Sequence, residues 1–482
     1  MRAAEDLTEA QERYRAARLH HWDGVARQLE TWKGLGGSYH QRLRCVYRSL
    51  VSPGQSVLEI GCARGDLLAE LQPDNGVGVD FSPQMINAAR RRHPRLHFVQ
   101  ADAHDLQLGE KFDVIILSDL LNDVWDVQSL LETVSRHSTD KTRLIINTYS
   151  RLWEPLLGLA KALGLAKPTL YQNWLTFEDV HSLLSLADFE PVKHWQEVLW
   201  PLPDLLVGRF CNRFLVKLWP LQHLGLTNFI VARRKPQRRA GPAKPSVSVI
   251  IPVRNEAGNI SKIFDRMPRL GGSTELVFVE GHSKDDTYET IAALVAAHPE
   301  WNCQLLRQTG KGKGDAVRLG FSRASGEILI ILDADLTVPP EDLPRFVDAL
   351  CTGKGDFING VRLVYPMEKQ AMRFINLVGN KFFSLAFSWI LGQSIKDTLC
   401  GTKVLWKEDY DSIAANRSFF GDFDPFGDFD LLFGAAKLNL KITDLPIRYR
   451  ERTYGTTNIQ RWSHGWLLLK MVVFGAKRLK FV

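Results

Sequence analysis

One segment constrains the architecture more than any other part of the sequence. It covers residues 233–245 and contains RRKPQRRAGPAKP, which is basic, rich in Pro, Gly and Ala, and without an apolar period. Such composition is typical of an exposed linker between domains. On each side, over roughly 240 residues, short β-branched runs alternate with helical patterns, as in α/β domains with mainly parallel sheets. We therefore predict two α/β domains.

The motifs on either side of this linker define the predicted domain limits. Residues 43–234 form the first domain, 235–245 the linker and 246–482 the second domain. Residues 1–42 precede the first strand, with apolar side chains at helical spacing, so we predict helices that pack on the first domain. A chain of 482 residues is long enough for two separate cores.

Composition limits the class of protein and of partner. Hydrophobic residues make up 45% of the chain and charged residues 24%, which excludes wholesale disorder. The net charge of +7 suits an acidic partner such as a nucleotide or lipid phosphate, and no motif indicates nucleic acid. The six cysteines are scattered and the N-terminus is dense in charge, so we expect a cytoplasmic protein without a secretory signal.

The first half begins with a glycine-containing turn between a strand and a helix. The run SVLEIGCARGDLLAEL covers residues 56–71, and Gly61 and Gly65 let the backbone approach a ligand there. About 20 residues further on, Asp80 ends a second strand, where a carboxylate can accept both hydroxyls of a ribose. Asp102 and Asp119 follow the third and fourth predicted strands. The pattern indicates a site for a nucleoside-containing cofactor.

This succession resembles the class I S-adenosylmethionine-dependent methyltransferases over roughly residues 43–234. The resemblance implies a Rossmann-like fold and S-adenosyl-L-methionine as cofactor. It assigns the cofactor turn to Glu59, Gly61 and Gly65, ribose to Asp80, adenine to Asp102 and the methionine end to Asp119. The chain departs from the family at Ala63-Arg64, where glycine is frequent. His104, Asp123 and His137 are possible bases for the methyl acceptor.

In the second half, three apolar strands lead to polar groups, and a basic glycine-rich turn lies between the second strand and the third. The first strand leads to Pro252 and Glu256, and the second to Glu280 and then Asp285. The turn GKGKGDAVRLGF, which contains Lys313, suits a diphosphate. The run EILIILDADL ends in Asp333 and Asp335. Two carboxylates at alternate positions can share a divalent ion that neutralises two phosphates.

Together these motifs resemble an inverting family 2 glycosyltransferase, and within that family the polyprenyl-phosphate sugar transferases such as dolichyl-phosphate mannosyltransferase. The resemblance implies a GT-A fold, Mg²⁺ or Mn²⁺ on Asp333 and Asp335, and a nucleotide sugar as donor. The implied donor-binding residues are Pro252, Glu256, Glu280, Asp285, Lys313 and Asp333. The implied catalytic residues are Asp333, Asp335 and Asp430, and the implied acceptor-binding residues are Arg362, Asp397, Arg450 and Arg452.

Three departures from that family concern the donor and the acceptor. Glu280-Gly281 stands where two aspartates are usual, Thr337 follows the DAD run, and Thr457-Asn458 replaces a Ser-Lys pair. The donor can therefore differ from GDP-mannose, and the acceptor can be a polyprenyl phosphate or a glycan.

Two segments, residues 370–395 and 460–482, carry Trp and Phe beside Lys and Arg. The apolar stretch in each is too short to span a bilayer, and their composition is typical of helices that lie in the headgroup plane. We predict a peripheral enzyme on the cytoplasmic face of a membrane. The alternative is that these segments are ordinary core helices.

Three hypotheses follow for the whole chain. The first is a bifunctional enzyme that transfers a sugar to a lipid phosphate or glycan and methylates a related sugar. In the second, only the C-terminal half is catalytic and the N-terminal half is a cofactor-binding or scaffold module. In the third, the protein is a soluble protein-glycan transferase.

Overall fold

The computed structural model describes residues 2–28, 37–163, 169–202, 206–236, 244–362, 374–417, 427–450, 454 and 461–482. The chain forms two compact units. The first unit contains residues 1–235 together with 481–482, and the second contains residues 236–480. Arg452 and residues 455–460 lie outside the described residues, so the predictions that involve them are not addressed by the structure.

The first unit contains a seven-stranded sheet with the order β3-β2-β1-β4-β5-β7-β6, in which β7 runs antiparallel to both neighbours. Its strands are β1 (Ser56–Ile60), β2 (Asn75–Asp80), β3 (His97–Gln100), β4 (Val114–Ser118), β5 (Arg143–Tyr149), β6 (Phe189–Glu197) and β7 (Thr227–Arg234). Alternate residues of β1 enter different clusters, Leu58 and Ile60 in one and Val57 in the other. Apolar layers therefore cover both faces of the sheet, as predicted for an α/β domain.

The helices of the first unit are α1 (Arg2–Gln28), α2 (Gly37–Leu50), α3 (Asp66–Leu71), α4 (Pro83–Arg92), α5 (Val127–Arg136), α6 (Glu154–Ala162), α7 (Phe177–Leu186) and α8 (Leu206–Arg213). In α2, Leu43, Val46 and Leu50 are buried at helical spacing, which packs this helix on the core. Because β1 lies between β2 and β4, the winding direction reverses there. Ligands of open α/β sheets bind at the carboxyl ends of the strands at such a point.

The second unit also contains a seven-stranded sheet, with the order β10-β9-β8-β11-β13-β12-β14 and only β13 antiparallel to its neighbours. Its strands are β8 (Val247–Val253), β9 (Thr274–Glu280), β10 (Asn302–Arg307), β11 (Ile328–Ile331), β12 (Phe357–Val361), β13 (Lys403–Trp406) and β14 (Ile442–Pro446). Every residue of β9 and β11 is buried, which explains their nearly continuous apolar sequence. The prediction of two α/β domains is confirmed for the fold class.

The helices of the second unit are α9 (Ala257–Arg266), α10 (Thr287–Ala297), α11 (Lys313–Arg323), α12 (Leu343–Cys351), α13 (Phe374–Leu391), α14 (Lys407–Ala415), α15 (Asp428–Lys437) and α16 (Arg461–Gly475). The segments predicted to lie at a membrane contain α13 and α16. Phe387 of α13 and Met471 of α16 are fully buried, whereas Phe382 and Trp466 are exposed. Among the described helices, none is both long and apolar enough to cross a bilayer.

Candidate active sites

The turn after β1 depends on two glycines with left-handed backbone. Gly61 has a φ of 78° and Gly65 a φ of 72°. A Cβ on Gly61 would lie 2.9 Å from Leu120 Cδ1, and one on Gly65 would lie 2.5 Å from Phe98 Cζ. Both positions therefore require glycine for conformation and for space. The Arg64 guanidinium, at the departure from the family pattern, pairs with Asp66 at 3.2 Å.

Glu59 supports this turn from within the protein. Its side chain is almost fully buried, and Oε2 accepts a hydrogen bond from the backbone N–H of Leu68 in α3 at 3.1 Å. Burial raises the pKa of this carboxyl to about 8. Glu59 thus holds the first turn of α3 against β1. The structure shows it as a support of the cofactor turn, and direct contact with a cofactor remains a prediction.

Asp80 lies at the carboxyl end of β2, beside the same turn. Its two oxygens accept backbone N–H groups of Ala63 and Ser82, each at 2.9 Å. Burial raises its pKa to about 6, and those hydrogen bonds oppose the shift. A carboxylate has about four acceptor positions, so a carboxylate in this place can also accept hydroxyl groups.

Asp102 lies beyond β3 and is held by the side chains of His104 and Arg15. Oδ1 is 2.7 Å from His104 Nδ1, and Oδ2 is 3.0 Å from Arg15 Nε of α1. Burial alone would raise the pKa of Asp102, but the hydrogen bonds from His104 and the charge of Arg15 lower it. His104 Nε2 also lies 3.2 Å from the carbonyl oxygen of Asp126. With both nitrogens engaged, His104 orients Asp102 and is poorly placed as a base.

Asp119 follows β4 in a left-handed conformation, with a φ of 54°. The Tyr39 hydroxyl lies 2.9 Å from Oδ1, and Asn147 Nδ2 donates to the same oxygen. The Tyr47 hydroxyl donates to Asn147 Oδ1 at 2.6 Å and completes a chain of polar groups. Burial raises the pKa of Asp119 to about 7, against the effect of the hydrogen bonds. Asp119 is therefore a carboxyl that changes charge near neutral pH.

The other two possible bases, Asp123 and His137, make contacts within the protein. Asp123 pairs with Arg18 at 3.1 Å and accepts the indole N–H of Trp22. His137 is 3% exposed, and its two ring nitrogens contact the backbone of Thr133 and Leu108. Because no ring nitrogen remains for a substrate, His137 is poorly placed as a base.

Helix α1 runs across the carboxyl edge of the first sheet. Arg15 reaches Asp102, Trp22 reaches Asp123, and Asp23 accepts a hydrogen bond from the hydroxyl of Ser82. These contacts cover the strand ends at which the cofactor residues lie. Sequence reasoning missed Arg15 and Tyr39, which are ordinary members of helical patterns. Asn147 carried a visible signal, since it is a polar residue inside the apolar strand RLIINTY.

In the second unit, Thr287 joins two of the predicted donor residues. Its hydroxyl accepts the backbone N–H of Glu256 at 3.1 Å and donates to Asp285 Oδ1. Glu256 is buried, and its Oε2 accepts Asn259 Nδ2 at 2.8 Å. Glu280 ends β9 and accepts the backbone N–H of Ser283. Pro252 lies near the end of β8, so these residues gather at one edge of the sheet.

The glycine-rich turn and the DAD run meet in a close cluster. Lys313 Nζ lies 2.6 Å from Asp333 Oδ1, and both side chains are partly exposed. A Cβ on Gly401 would lie 2.1 Å from Asp333 Oδ2 and 2.4 Å from Lys313 Nζ. Only glycine leaves room for this ion pair. We call Lys313, Asp333 and Gly401 the DAD cluster.

Asp335 is held by the residue that departs from the family pattern. The Thr337 hydroxyl and backbone N–H donate to Asp335 Oδ1 at 2.8 and 3.1 Å. The described ranges contain no group of three or more His, Cys, Asp or Glu side chains arranged to hold a metal. Mg²⁺ is commonly held by one or two carboxylates together with substrate phosphates and water. Asp333 and Asp335 fit that mode, and the ammonium at Asp333 shows that a cation can approach it.

Arg362 and Asp397, both predicted to bind the acceptor, bind each other. Arg362 Nε and Nη2 donate to the two Asp397 oxygens at 2.7 and 2.9 Å. Asp397 is 1% exposed; burial alone would raise its pKa, but the Arg362 guanidinium outweighs this effect and lowers it. This bidentate pair connects the end of β12 to the loop that leads to Gly401. Its role toward an acceptor remains a prediction.

Two of the remaining predicted residues, Asp430 and Arg450, lie on segments that contact neighbours of Lys313 and Asp335. The Asp430 carboxylate accepts Arg417 Nε at 3.0 Å. A Cβ on Gly427 would lie 2.6 Å from Gly314 Cα, so the start of α15 packs against the start of α11. The backbone N–H of Arg450 donates to the Thr337 carbonyl oxygen at 3.0 Å.

Comparison with known families gives one match in each unit. The family model "Methyltransferase domain" matches residues 51–197, and the model "Glycosyl transferase family 2" matches residues 248–411. The methyltransferase match includes β1, and the glycosyltransferase match includes most of β8. Each also includes polar residues that follow its strand.

Two relatives and one solved structure illustrate these similarities. A dolichol-phosphate mannosyltransferase of Pyrococcus furiosus is 33% identical over 175 residues, which are 35% of this chain and 49% of that protein. A dolichyl-phosphate hexose transferase of Haloferax volcanii is 27% identical over 47% of this chain and 92% of that protein. The chain thus spans about half the length of the first relative and nearly all of the second.

The solved structure is described as a SAM-dependent methyltransferase, possibly a histamine N-methyltransferase, from Thermotoga maritima. It is 18% identical, with a TM-score of 0.34 over 45% of this chain and 99% of that chain. The two family matches agree with the predicted resemblances. The chain therefore combines a methyltransferase domain in its first unit with a family 2 glycosyltransferase domain in its second.

Proposed function

We propose that the second unit transfers a sugar from a nucleotide sugar to a polyprenyl phosphate with inversion, and that the first unit methylates a related sugar with S-adenosylmethionine as cofactor. The observation that carries the first part is the DAD cluster. There, a partly exposed carboxylate, an ammonium and an obligatory glycine meet at the carboxyl edge of β11. The names of the relatives supply the acceptor class.

The charges of the DAD cluster suit a leaving nucleoside diphosphate. Lys313 brings a positive charge to Asp333, where it can also approach a phosphate oxygen. A divalent ion on Asp333 and Asp335 would neutralise the negative charge that develops on the leaving group. Thr337 orients Asp335 for that purpose. The oxygen of the acceptor forms the new bond at the anomeric carbon as the bond to the diphosphate breaks.

The acceptor determines whether a base is required. A polyprenyl phosphate is already an anion, so its oxygen can attack without losing a proton. A glycan hydroxyl would need a proton acceptor, and Asp430 is the carboxylate proposed for that case. Arg450 and Arg452 are proposed to hold the acceptor phosphate, because a guanidinium can bind two oxygens of a phosphate at once.

The first unit has side chains that fit an adenosyl cofactor and a hydroxyl acceptor. S-adenosylmethionine supplies a methyl group on a sulfonium. We propose that Asp80 accepts the ribose hydroxyls and that Asp102 accepts the adenine amino group. Methylation of a hydroxyl releases a proton, and Asp119 is proposed to receive it. Tyr39 and Asn147 hold its carboxylate in place.

Attachment to a membrane is proposed for α13 and α16. Phe382 and Leu385 of α13 are 56% and 62% exposed, and Trp466 of α16 is 61% exposed. The ammonium of Lys470 lies 5.9 Å from the centre of the Trp466 ring. Exposed aromatic residues beside cations are typical of helices at the headgroup level, and we propose a peripheral position on the cytoplasmic face.

One observation favours the alternative in which the first unit is a non-catalytic scaffold module. Helix α1 covers the carboxyl edge, and Arg15 pairs with the residue proposed to bind adenine. A scaffold module would keep the Arg15–Asp102 pair permanently. In a catalytic module, this pair must break when cofactor and acceptor bind.

A transfer assay tests the proposal. The full chain is incubated with dolichyl phosphate or undecaprenyl phosphate, Mn²⁺ and a panel of radiolabelled UDP- and GDP-sugars. We expect label in the organic phase for at least one donor and none in excess chelator. The products are then offered with tritiated S-adenosylmethionine. Methylation of a product supports the bifunctional hypothesis, whereas cofactor binding without any methylation supports the scaffold.

A further inference from the structure

Helix α6 in the first unit packs on the core through Leu157, but its other leucines are exposed. None of its residues is buried. Leu152, just before the helix, and Leu156, Leu159 and Leu163 are 54–63% exposed. Their separations of four, three and four residues place them on one side of a helix. A surface helix ordinarily turns such a stripe toward the protein, so this stripe lacks a covering layer among the described residues.

A second exposed apolar segment adjoins this helix. The indole N–H of Trp153 donates to the carbonyl oxygen of Leu224 at 2.9 Å, so residues near 224 lie beside the start of α6. Leu224 is 46% exposed. We call these side chains together the α6 face: Leu152, Leu156, Leu159, Leu163 and Leu224.

The charges around the α6 face indicate what binds there. Arg151 is exposed before the helix, and Lys161 lies in its last turn. Glu154 is the single acidic residue of the described stretch 151–163. A leucine stripe with cations at both ends is typical of helices that lie in an anionic bilayer surface. Two copies of this face would bring excess positive charge together, which disfavours self-association.

The α6 face lies next to the proposed methyl-transfer site. Helix α6 follows β5, whose carboxyl end shares an edge with that of β4. The last residue of β5, Tyr149, packs against Tyr39 with ring centres 5.8 Å apart. Tyr39 in turn donates to Asp119. A surface bound to the α6 face would therefore be near the carboxylate proposed to take the proton of the acceptor.

We propose that the first unit docks on an anionic bilayer through the α6 face, and that its methyl acceptor is the saccharide of a lipid-linked molecule. The docking stands on the geometry of α6 alone. The identity of the acceptor also rests on the proposed methyltransferase function.

The test uses the full chain with vesicles of phosphatidylcholine and 30% phosphatidylglycerol. Hydrogen exchange followed by mass spectrometry reports where lipid contacts the chain, which separates the α6 face from α13 and α16. We expect slower exchange in residues 151–163 on these vesicles, and a loss of that protection in 0.5 M salt, because screening weakens attraction to anionic lipid.

The double variant Leu156→Ser/Leu159→Ser removes apolar area that would enter the bilayer. We expect protection of residues 151–163 to require about tenfold more lipid or greater. Leu186→Ser is the matched control, because Leu186 of α7 is also 63% exposed but lies outside this face, and it should behave as wild type. Thermal unfolding of each variant checks its fold.

Two outcomes would overturn the docking. One is the same exchange in residues 151–163 with and without vesicles. The other is protection that rises with protein concentration in the absence of lipid, which would assign the face to a second copy. The acceptor is tested separately with tritiated S-adenosylmethionine and a lipid-linked or lipid-free saccharide. Docking without methylation of either would contradict the proposed function and leave the docking intact.

Discussion

In the first unit, Asp80, Asp102 and Asp119 accept hydrogen bonds from neighbouring protein groups, whereas in the second unit Asp333 is partly exposed and faces the ammonium of Lys313. At the carboxyl edge of the first sheet, burial raises the pKa of Asp80 and Asp119, and these carboxyls are proposed to meet hydroxyl groups of the cofactor and the acceptor. The carboxyl edge of the second sheet places the Asp333 carboxylate beside the Lys313 ammonium, as expected for a site that binds a phosphate together with a metal. The carboxyl edge of the sheet thus carries different side chains in the two units, and these suit two different ligands.

The largest expected effect lies at the second edge. Asp335→Asn removes a charge that is proposed to hold the metal against the leaving diphosphate, so sugar transfer should fall about a hundredfold or more. Methyl transfer should be unchanged, because the first edge uses different carboxylates. Product formation is measured with radiolabelled donor. Wild-type transfer by this variant would remove Asp335 from the site.

Gly401→Ala tests whether the geometry of the DAD cluster matters beyond its charges. The new Cβ would lie 2.1 Å from Asp333 Oδ2, so the ion pair with Lys313 must shift. We expect roughly a tenfold to hundredfold loss of sugar transfer, as is common when a positioned group moves. Gly379→Ala is the matched control, because nothing lies within 4 Å of its Cβ. Equal activity of the two variants would contradict the role of Gly401.

Asp80→Ala makes the corresponding change at the first edge. Loss of two hydrogen bonds to ribose should weaken S-adenosylmethionine binding by tens to hundreds of times. Calorimetric titration measures the dissociation constant, and Asp140→Ala, in the turn before β5, serves as control. Unaltered binding by Asp80→Ala would show that the cofactor lies elsewhere.

The fold class and the strand ends could be predicted because buried parallel strands are apolar runs that stop at Gly or Asp. Asp80 and Asp333 are found where such runs end. The partners of these residues could not be predicted in the same way. Arg15 meets Asp102 from a helix 87 positions earlier, and Arg362 meets Asp397 across 35 positions. Such contacts depend on how elements that are distant in the sequence pack together, so no local sequence pattern predicts them.

The pH dependence of methyl transfer tests the raised pKa of Asp119. Its pKa is about 7, so the proton-accepting carboxylate form increases as the pH rises and dominates above that value. We expect the single-turnover rate to rise up to about tenfold per pH unit below 7 and to level off above it. The Asp119→Asn variant should not show this increase of the single-turnover rate with pH. A rate independent of pH from 5.5 to 8.5 in wild type would exclude Asp119 as the base.

The smallest expected effect concerns the cover formed by α1. Arg15→Ala releases Asp102 from a half-exposed ion pair worth at most about 1 kcal/mol. Cofactor binding should therefore tighten by no more than about fivefold if the pair must be exchanged, as measured by calorimetry. A large loss of affinity would show instead that Arg15 itself holds the cofactor.

The measurement that tests the two-site account most directly is thermal unfolding of wild type, Asp80→Ala and Asp335→Asn with S-adenosylhomocysteine. At a hundred times its dissociation constant, the ligand should stabilise the first unit by roughly 2.7 kcal/mol in wild type. The account predicts the same stabilisation in Asp335→Asn and little in Asp80→Ala. Absence of stabilisation in wild type, or its loss in Asp335→Asn, would contradict a separate adenosyl site at the first edge.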